Sequence, residues 1–155
     1  MGAEELAPLA GLAELRAEPK PDCIAASGLP DRYRMLSRDM AVRSLRMSGA
    51  ALSLTQVNDI FRRTLVGGRV VVTHGVALLG EEALHGLLRD GAQFDAFDTG
   101  NDPHGEHDFG AIEHGGVRYF WKIDYYDRDF IYGSPDPADP TVTARVLTIM
   151  RAEEY

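Results

Sequence analysis

The sequence predicts an α+β fold, in which a small, mainly antiparallel sheet is packed by two or three helices. Three observations support this prediction. Apolar residues recur at helical spacing after Ser53 and again after Glu81. A β-branched run at 69–73 is typical of a strand. Two aromatic and β-branched runs flank a Gly-Gly pair, which indicates a hairpin over 108–126.

Residues 1–50 differ in composition from the rest of the chain. They contain four prolines and only short apolar patches, so we expect a divergent extension that is weakly ordered or loosely packed. Residues 51–155 are expected to form a single α+β domain. The stretch DRYRMLSRDMAVRSLRMSG carries five arginines, which are Arg32, Arg34, Arg38, Arg43 and Arg46. Nucleic acid binding is expected only through these arginines, and scattered arginines more often form a solvated face.

The first predicted helix covers 54–65. Ser53 is followed three residues later by a glutamine, which is the pattern of a capping box, and a Gly-Gly pair ends the apolar spacing. After the 69–73 strand, His74 and Gly75 suggest a turn, and a second helix is predicted at 80–90. A polar, glycine-rich loop of about 18 residues follows, and a loop of that length is usually functional or mobile.

The second strand of the hairpin alternates between two faces. We expect one face to lie in the core, and it comprises Val117, Tyr119, Trp121, Ile123 and Tyr125. The other is expected to face solvent or a partner, and it comprises Arg118, Phe120, Lys122, Asp124 and Tyr126. The run 130–132 suggests one more short strand.

The last segment, TVTARVLTIMRAEEY, carries two conflicting signals. Val142, Val146, Ile149 and Met150 match helical spacing, and Asp139-Pro140 resembles a helix start. The threonines and valines instead favour a strand. We favour a C-terminal helix over 141–152, with the strand as the alternative.

Composition limits the possible functions. No apolar run is long enough to cross a bilayer, and the acidic N-terminus does not resemble a secretory signal. The single cysteine forms no internal disulfide and no cysteine-based zinc cluster, which fits a reducing cytoplasm. The net charge is −8, and residues 66–155 carry seven basic and sixteen acidic side chains, a balance of −9. That part should repel phosphates and attract cations or basic protein surfaces.

The stretch NDPHGEHDFGAIEHGG holds three of the five histidines, and it has three interpretations. A metal site would use His104, Glu106, His107 and His114. A hydrolytic site would use His107 with Asp108 as a general base and Lys122 to hold a phosphate or oxyanion. The third interpretation is a polar loop in which Asp102 caps a turn. Because the spacing fits no established signature, we expect neither a catalytic site nor a metal or other cofactor, and the two chemical alternatives stay open.

Three segments, VNDIFRRTLVGGRVVVTHGV, NDPHGEHDFGAIEHGGVRYFWKIDYYD and SPDPADPTVTARVLTIMRAEEY, resemble a bacterial family of uncharacterised short proteins. The resemblance covers about residues 55–155. Members of that family are carried on plasmids, integrative elements and phages. The resemblance implies no known activity, but it implies an intracellular protein that acts in the conflict between mobile DNA and its host.

The leading hypothesis is therefore a non-enzymatic interaction protein of a mobile element, whose acidic surface binds a basic protein target. An inhibitor of a host defence nuclease, of the anti-restriction or anti-CRISPR type, is one example. The expected contact residues are Glu106, Asp108, Asp124, Tyr125 and Asp127. The alternative is a small hydrolase or nuclease with a His/Asp/Lys site.

Overall fold

The computed structural model describes residues 23–25 and 51–155. The predictions for the other residues of the N-terminal region, including the five arginines, lie outside this part of the chain. The strands are β1 (Cys23–Ala25), β2 (Gly68–Thr73), β3 (Phe109–His114), β4 (Val117–Tyr126) and β5 (Ala144–Arg151). The helices are α1 (Leu54–Thr64), α2 (His74–Ala77), α3 (Glu81–Gln93) and a final 3₁₀ turn, Ala152–Glu154.

Capping residues define both ends of helix α1, Ser53 at its start and Leu65 at its end. The Ser53 hydroxyl accepts a hydrogen bond from the Gln56 amide at 3.2 Å, and the Gln56 side chain accepts one from the Ser53 amide at 2.9 Å. Leu65 then adopts a left-handed conformation, with φ of 58°, and its amide donates to the Phe61 carbonyl at 2.7 Å. Because both ends are satisfied locally, the predicted helix over 54–65 is confirmed.

The sheet has the strand order β1-β2-β5-β4-β3. Three of its four strand pairs are antiparallel, and only β2 and β5 run parallel. The α+β class and the mainly antiparallel sheet are therefore confirmed. The favoured C-terminal helix over 141–152 is wrong, since this segment forms β5 between β2 and β4. A strand that is buried on both faces has a nearly continuous apolar sequence. Such a run also contains apolar residues at helical spacing, so the spacing alone did not distinguish the strand from a helix.

The β3–β4 hairpin forms as predicted. Gly115 and Gly116 form its turn with φ of 59° and 77°, values that favour glycine at both positions. Gly110 in β3 lies against the Trp121 indole. A Cβ atom at this position would lie 2.6 Å from Trp121 Nε1, so only glycine fits without displacing the buried tryptophan.

Helices α1 and α3 pack on one face of the sheet. Phe61 and Leu87 contact a cluster that includes Tyr119, Trp121 and Ile123, so the predicted core face of β4 is confirmed. The opposite face is only partly open, since Arg118 is exposed while Phe120 and Lys122 are half-buried. Asp124 and Tyr126 are only 5% and 4% exposed. No helix among the described residues is long and apolar enough to cross a membrane.

Three smaller differences concern the connections. The expected turn at His74 and Gly75 is the first turn of the short helix α2. Helix α3 continues to Gln93, so the long loop begins at residue 94. The run 130–132 forms no strand and is a loop with a single bridge, between Tyr126 and Gly133, beside it.

Candidate functional site

The connecting loop, residues 94–108, links α3 to β3 and contains the first half of the histidine-rich stretch, with His104 and His107. Asp102 holds its second half in place. One oxygen of this buried carboxylate accepts hydrogen bonds from the Glu106 amide at 2.8 Å and the His107 amide at 3.2 Å. The prediction that Asp102 caps a turn is therefore confirmed. These bonds place the His107 ring against the body of the protein.

Helix α1 binds the same loop from the other side. The Thr55 hydroxyl donates to the Gly105 carbonyl at 2.6 Å, and the Asn58 side-chain amide donates to the Glu106 carbonyl at 2.9 Å. Backbone groups of a loop that has no secondary structure need such partners when they leave water. The loop is thus fixed to α1 by side chains from two of its turns.

His107 lies at the centre of this attachment. Its backbone is left-handed, with φ of 54°, which is uncommon for a residue other than glycine. The ring stacks on Phe97, with centroids 3.7 Å apart and an angle of 2° between the planes. Nδ1 lies 3.2 Å from both carboxylate oxygens of Asp59, and Nε2 lies 3.7 Å from Asp102 Oδ2. The ring is therefore held between two carboxylates and one aromatic face.

Asp59 also pairs with Arg62, one turn along α1, at 2.8 Å. Arg62 is buried, and its second terminal nitrogen donates to the carbonyls of Gly91 and Ala92 at 2.6 and 3.0 Å. Burial raises the pKa of Asp59, but hydrogen bonds and positive charge from Arg62 and His107 outweigh it and hold the pKa below its ordinary value. Asp59 is therefore ionised at neutral pH, and it joins α1, α3 and the connecting loop.

The contacts of His107 are those of a residue that holds the connecting loop in place. A protonated imidazole donates from both nitrogens, and both His107 nitrogens face a carboxylate. A general base instead needs one nitrogen directed at the proton that it removes. The geometry around His107 is thus that of a clamp that holds a loop.

The predicted His107, Asp108 and Lys122 arrangement is not formed. The Asp108 carbonyl accepts the Ile123 amide at 2.7 Å, which continues the hairpin ladder. Lys122 alternates with Trp121 along β4, so it lies on the sheet face away from α1, where it pairs with Asp124 at 2.7 Å. The carboxylates that do approach His107 are Asp59 and Asp102.

The predicted metal ligands are also not brought together. His114 lies at the far end of β3, and its Nδ1 pairs with Asp90 of α3 at 2.9 Å. His104 is exposed. Over residues 23–25 and 51–155, no group of three or more His, Cys, Asp or Glu side chains is placed to hold a metal ion. The set His104, Glu106, His107 and His114 therefore forms no metal site in this fold, and β3 separates His114 from the other three.

Two of the predicted contact residues lie in the interior. Tyr125 is 6% exposed, and its hydroxyl accepts from Asn58 at 2.6 Å and lies 3.4 Å from a Glu106 carboxylate oxygen. Asp124 is buried beside Lys122. Neither side chain can contact a partner in this conformation, which corrects the expected contact set.

A buried arginine completes this interior network. Arg145 of β5 is 1% exposed, donates to the side-chain Oδ1 of Asn58 at 3.4 Å and to the backbone carbonyl of Pro137, and lies over the Tyr125 ring. Burial lowers the pKa of Arg145, and negative charge at Tyr125 and Asp139 opposes that effect. The network connects α1 to the loop before β5.

Sequence reasoning missed four polar residues that build these clusters, Asn58, Asp59, Arg62 and Arg145. A signal existed for two of them. Asn58 and Arg62 are one helical turn apart and flank the buried Phe61, so they lie on the apolar side of α1. Polar residues at buried helix positions indicate hydrogen-bonded partners.

The fold and the site together define a small α+β protein in which polar clusters secure the long loop. The chain belongs to the family described as "Protein of unknown function (DUF3768)", whose model matches residues 72–154. The expected uncharacterised family is thus confirmed. The match includes His107, Asp102 and Phe97, and it begins after α1, which carries Asp59. No curated protein and no solved structure matches the chain.

Proposed function

We propose that this chain is a non-enzymatic, cytoplasmic interaction protein of a mobile genetic element, and that its acidic surface binds a basic protein target. The surface charge of residues 66–155 carries this proposal. Eight of their carboxylate side chains are exposed, against four basic side chains. A surface of this charge speeds encounter with a basic partner and disfavours phosphate-rich ligands.

Internal ion pairs leave this imbalance unchanged, because each of them removes one positive and one negative charge. Arg145 is buried, and Lys122 and Arg151 pair with Asp124 and Glu153 at 2.7 and 3.1 Å. Much of the positive charge is therefore neutralised inside the protein or at close range. The remaining field of residues 66–155 is negative, which is the complement of a surface that binds DNA or RNA.

The contact residues must be exposed, which changes the residues to be tested. Asp127 is half-buried, and its carboxylate accepts backbone amides of the next loop at 2.9 and 3.2 Å. Asp129 and Asp136 are exposed and follow β4 in the same acidic stretch. Asp127 stabilises the backbone of this stretch through the hydrogen bonds just described. Glu106 and Asp108 are half-buried near the connecting loop and are secondary candidates.

A basic surface that binds nucleic acid is the kind of target that such a protein would cover. Nucleases of host defence systems have this surface, because they bind the DNA that they cleave. Occupying it would block cleavage without any chemistry from the inhibitor. In this mode of action His107 has a structural role, with Nδ1 3.2 Å from Asp59 and Nε2 3.7 Å from Asp102.

The proposal is tested by phage plating. Unmodified phage is plated on bacteria that carry type I restriction or CRISPR interference, with and without this protein. We expect plating efficiency to rise at least about tenfold with one of these systems, and purified protein to bind the corresponding nuclease. Protein that protects against none of them and binds none of the purified nucleases would remove the defence-nuclease target.

Charge reversal with a matched control locates the contact. Asp129→Lys/Asp136→Lys and Glu82→Lys/Glu113→Lys change the net charge equally, and all four side chains are exposed. The second pair lies near the opposite end of the hairpin. Only the first variant should lose protection and binding, because it alters the proposed contact, whereas the second variant alters only the overall charge. Equal losses in both variants would indicate non-specific attraction.

The hydrolase or nuclease alternative has one observation in its favour. A carboxylate, Asp59, lies 3.2 Å from His107 Nδ1, and paired histidine and carboxylate groups occur in hydrolytic sites. A phosphodiester substrate with added Mg²⁺ or Mn²⁺ tests it. Activity that is lost in His107→Gln while the fold is retained would support this alternative, and activity that persists would exclude His107 as the base.

A further inference from the structure

The chain that follows β4 forms a closed loop, Asp127–Tyr132, which we term the knuckle. The Asp127 amide donates to the Tyr132 carbonyl at 2.8 Å, and the adjacent residues Tyr126 and Gly133 form a bridge. The Phe130 amide also donates to the Asp127 carbonyl at 3.1 Å. The knuckle therefore continues directly from β4, a strand that is paired on both edges.

Side chains fix the knuckle in one conformation. The Asp127 carboxylate accepts the amides of Ile131 and Tyr132 at 2.9 and 3.2 Å, which satisfies donors that would otherwise require water. Phe130 adopts φ of 59°, an unfavourable value for an aromatic residue. The Arg69 guanidinium lies 3.9 Å from the Phe130 ring centroid and holds it against β2. Strain that is held in place by neighbours is typical of functional loops.

This fixed conformation presents apolar side chains to solvent. Ile131 is 63% exposed and Tyr132 is 72% exposed, and they are adjacent in sequence. A loop with no binding role is usually polar at its tip. A rigid tyrosine beside an aliphatic side chain loses little conformational entropy on binding, so such residues are favoured as anchors in interfaces.

The charges around the knuckle indicate the partner. Residues 124–139 contain five aspartates and one arginine, Arg128. Asp124 is buried and paired with Lys122, and Arg69 adjoins Phe130, so four aspartates and two arginines surround the knuckle. Asp129 within the knuckle and Asp136 after it are both exposed. This negative rim repels phosphates and anionic lipids, and it also repels a second copy of the same acidic chain. The complementary surface is a protein with basic side chains.

We propose that the knuckle is a docking element, and that it inserts Ile131 and Tyr132 into an apolar pocket of a protein partner. Lysine or arginine side chains at the rim of that pocket face Asp129 and Asp136. The inference rests on the proposed function, since it names the part of the acidic surface that carries specificity.

A displayed library of random 16-residue peptides tests the knuckle before any partner has been identified. Selection is made on the full chain, and the enriched peptides are measured on three variants. These are Ile131→Ser/Tyr132→Ser, Asp129→Lys/Asp136→Lys and the control Leu78→Ser. Leu78 is 72% exposed, as Tyr132 is, but lies next to α2.

The inference predicts peptides with apolar residues flanked by lysine or arginine. Their affinity should fall at least about tenfold on the two knuckle variants and stay unchanged on the control. All substituted side chains are exposed, so the thermal unfolding curves should coincide with that of the native chain. A selection that yields no basic peptide whose binding depends on the knuckle overturns the inference. A photo-crosslinker at position 132 that reacts mainly with the same chain or with a second copy also overturns it.

The plating assay separates this inference from the proposed function. If the native chain protects phage and Ile131→Ser/Tyr132→Ser protects equally, the knuckle has no role and the proposed function remains. If the native chain neither protects phage nor selects basic peptides, the proposed function fails as well. Protection that is lost only in the knuckle variants supports both.

Discussion

At the scale of single residues, His107 shows how a polar loop becomes part of the structure. Its ring contacts Phe97 by stacking and Asp59 and Asp102 through its nitrogens, and its backbone amide is bound by Asp102. The contacts with Phe97 and Asp102 lie within the connecting loop, and the contact with Asp59 joins the loop to α1. The loop is therefore ordered in part by interactions that are distant in sequence, and single-sequence patterns do not reveal them.

We predict that His107→Ala lowers the free energy of unfolding by about 1–3 kcal/mol, because it removes a stacked ring and a charge-assisted hydrogen bond. Urea denaturation followed by tryptophan fluorescence measures this change, since Phe97 also contacts Trp121. His104→Ala is the matched control in the same loop. The exposed His104 side chain should contribute less than about 0.5 kcal/mol. Equal effects of the two substitutions would contradict the clamp.

Asp59 gives this attachment a dependence on pH. Its pKa lies below the ordinary value of 3.8, so the unfolded chain binds the proton more readily than the folded one. The stabilisation is present above pH 3.8 and is lost as the pH falls through the lower, folded value. Asp59→Asn should therefore cost about 1–3 kcal/mol at pH 7 and progressively less below pH 4.

Urea denaturation of both proteins at pH 7, 5, 4 and 3 tests this prediction. Asp95→Asn is the control, because the Asp95 side chain is exposed. A difference between native chain and Asp59→Asn that stays constant down to pH 3 would show that the Asp59 charge does not stabilise the fold.

At the scale of secondary structure, the sequence predicted α1, α3 and the hairpin well but assigned β5 wrongly. Capping residues and a Gly-Gly turn are local signals, and they act within a few residues. The identity of β5 depends on its neighbours. Strand β2, about 75 residues earlier, pairs parallel to it in the register Gly68 with Arg145. The segment becomes a strand because both of its edges are paired, with β2 and with β4. No pattern within the segment itself reveals these two partners.

Hydrogen exchange tests the position of β5. A strand paired on both edges should exchange its amides only through global unfolding, whereas β3 has one open edge in the described sheet. We predict that peptides covering 144–151 exchange at least about tenfold more slowly than those covering 109–114. Exchange of 144–151 that is as fast as in the loop before it would contradict the central position of this strand.

The same contrast explains how much of the candidate site was predictable. The alternation along β4 correctly identified Tyr119, Trp121 and Ile123 as core. It could not show that Asp124 on the other face is also buried, because burial depends on what packs against that face. The histidine cluster was likewise divided by β3, whose length sets the distance between His107 and His114.

At the scale of the whole molecule, charge distribution is the property that the sequence predicts most directly. Net charge does not depend on the fold, and the exposed residues of 66–155 retain the negative balance. The fold determines which charges are available. It removes Arg145 and Asp124 from the surface and leaves Asp129 exposed within the knuckle and Asp136 exposed after it.

This charge distribution leads to a prediction about nucleic acid. The full chain, with a net charge of −8, should not retain a labelled 30-base-pair duplex at 150 mM salt and micromolar protein. Any retention near 50 mM salt should come from Arg32, Arg34, Arg38, Arg43 and Arg46. Five phosphate contacts give a logarithmic salt slope of about −4.5, so such affinity would fall roughly 500-fold between 50 and 200 mM salt.

Gel-shift titrations over that salt range measure both the retention at 150 mM and the salt slope of the affinity. They are made with the native chain and with a variant in which all five arginines are changed to serine. We expect the serine variant to lose the low-salt retention, while its binding to a basic protein target stays equal or increases, because the variant is more acidic. Sequence-independent retention that persists at 150 mM in both proteins would mean that residues other than these five arginines bind phosphates despite the net charge of −8. That result would contradict the acidic contact surface itself, and with it the choice of a protein over a nucleic acid as the partner.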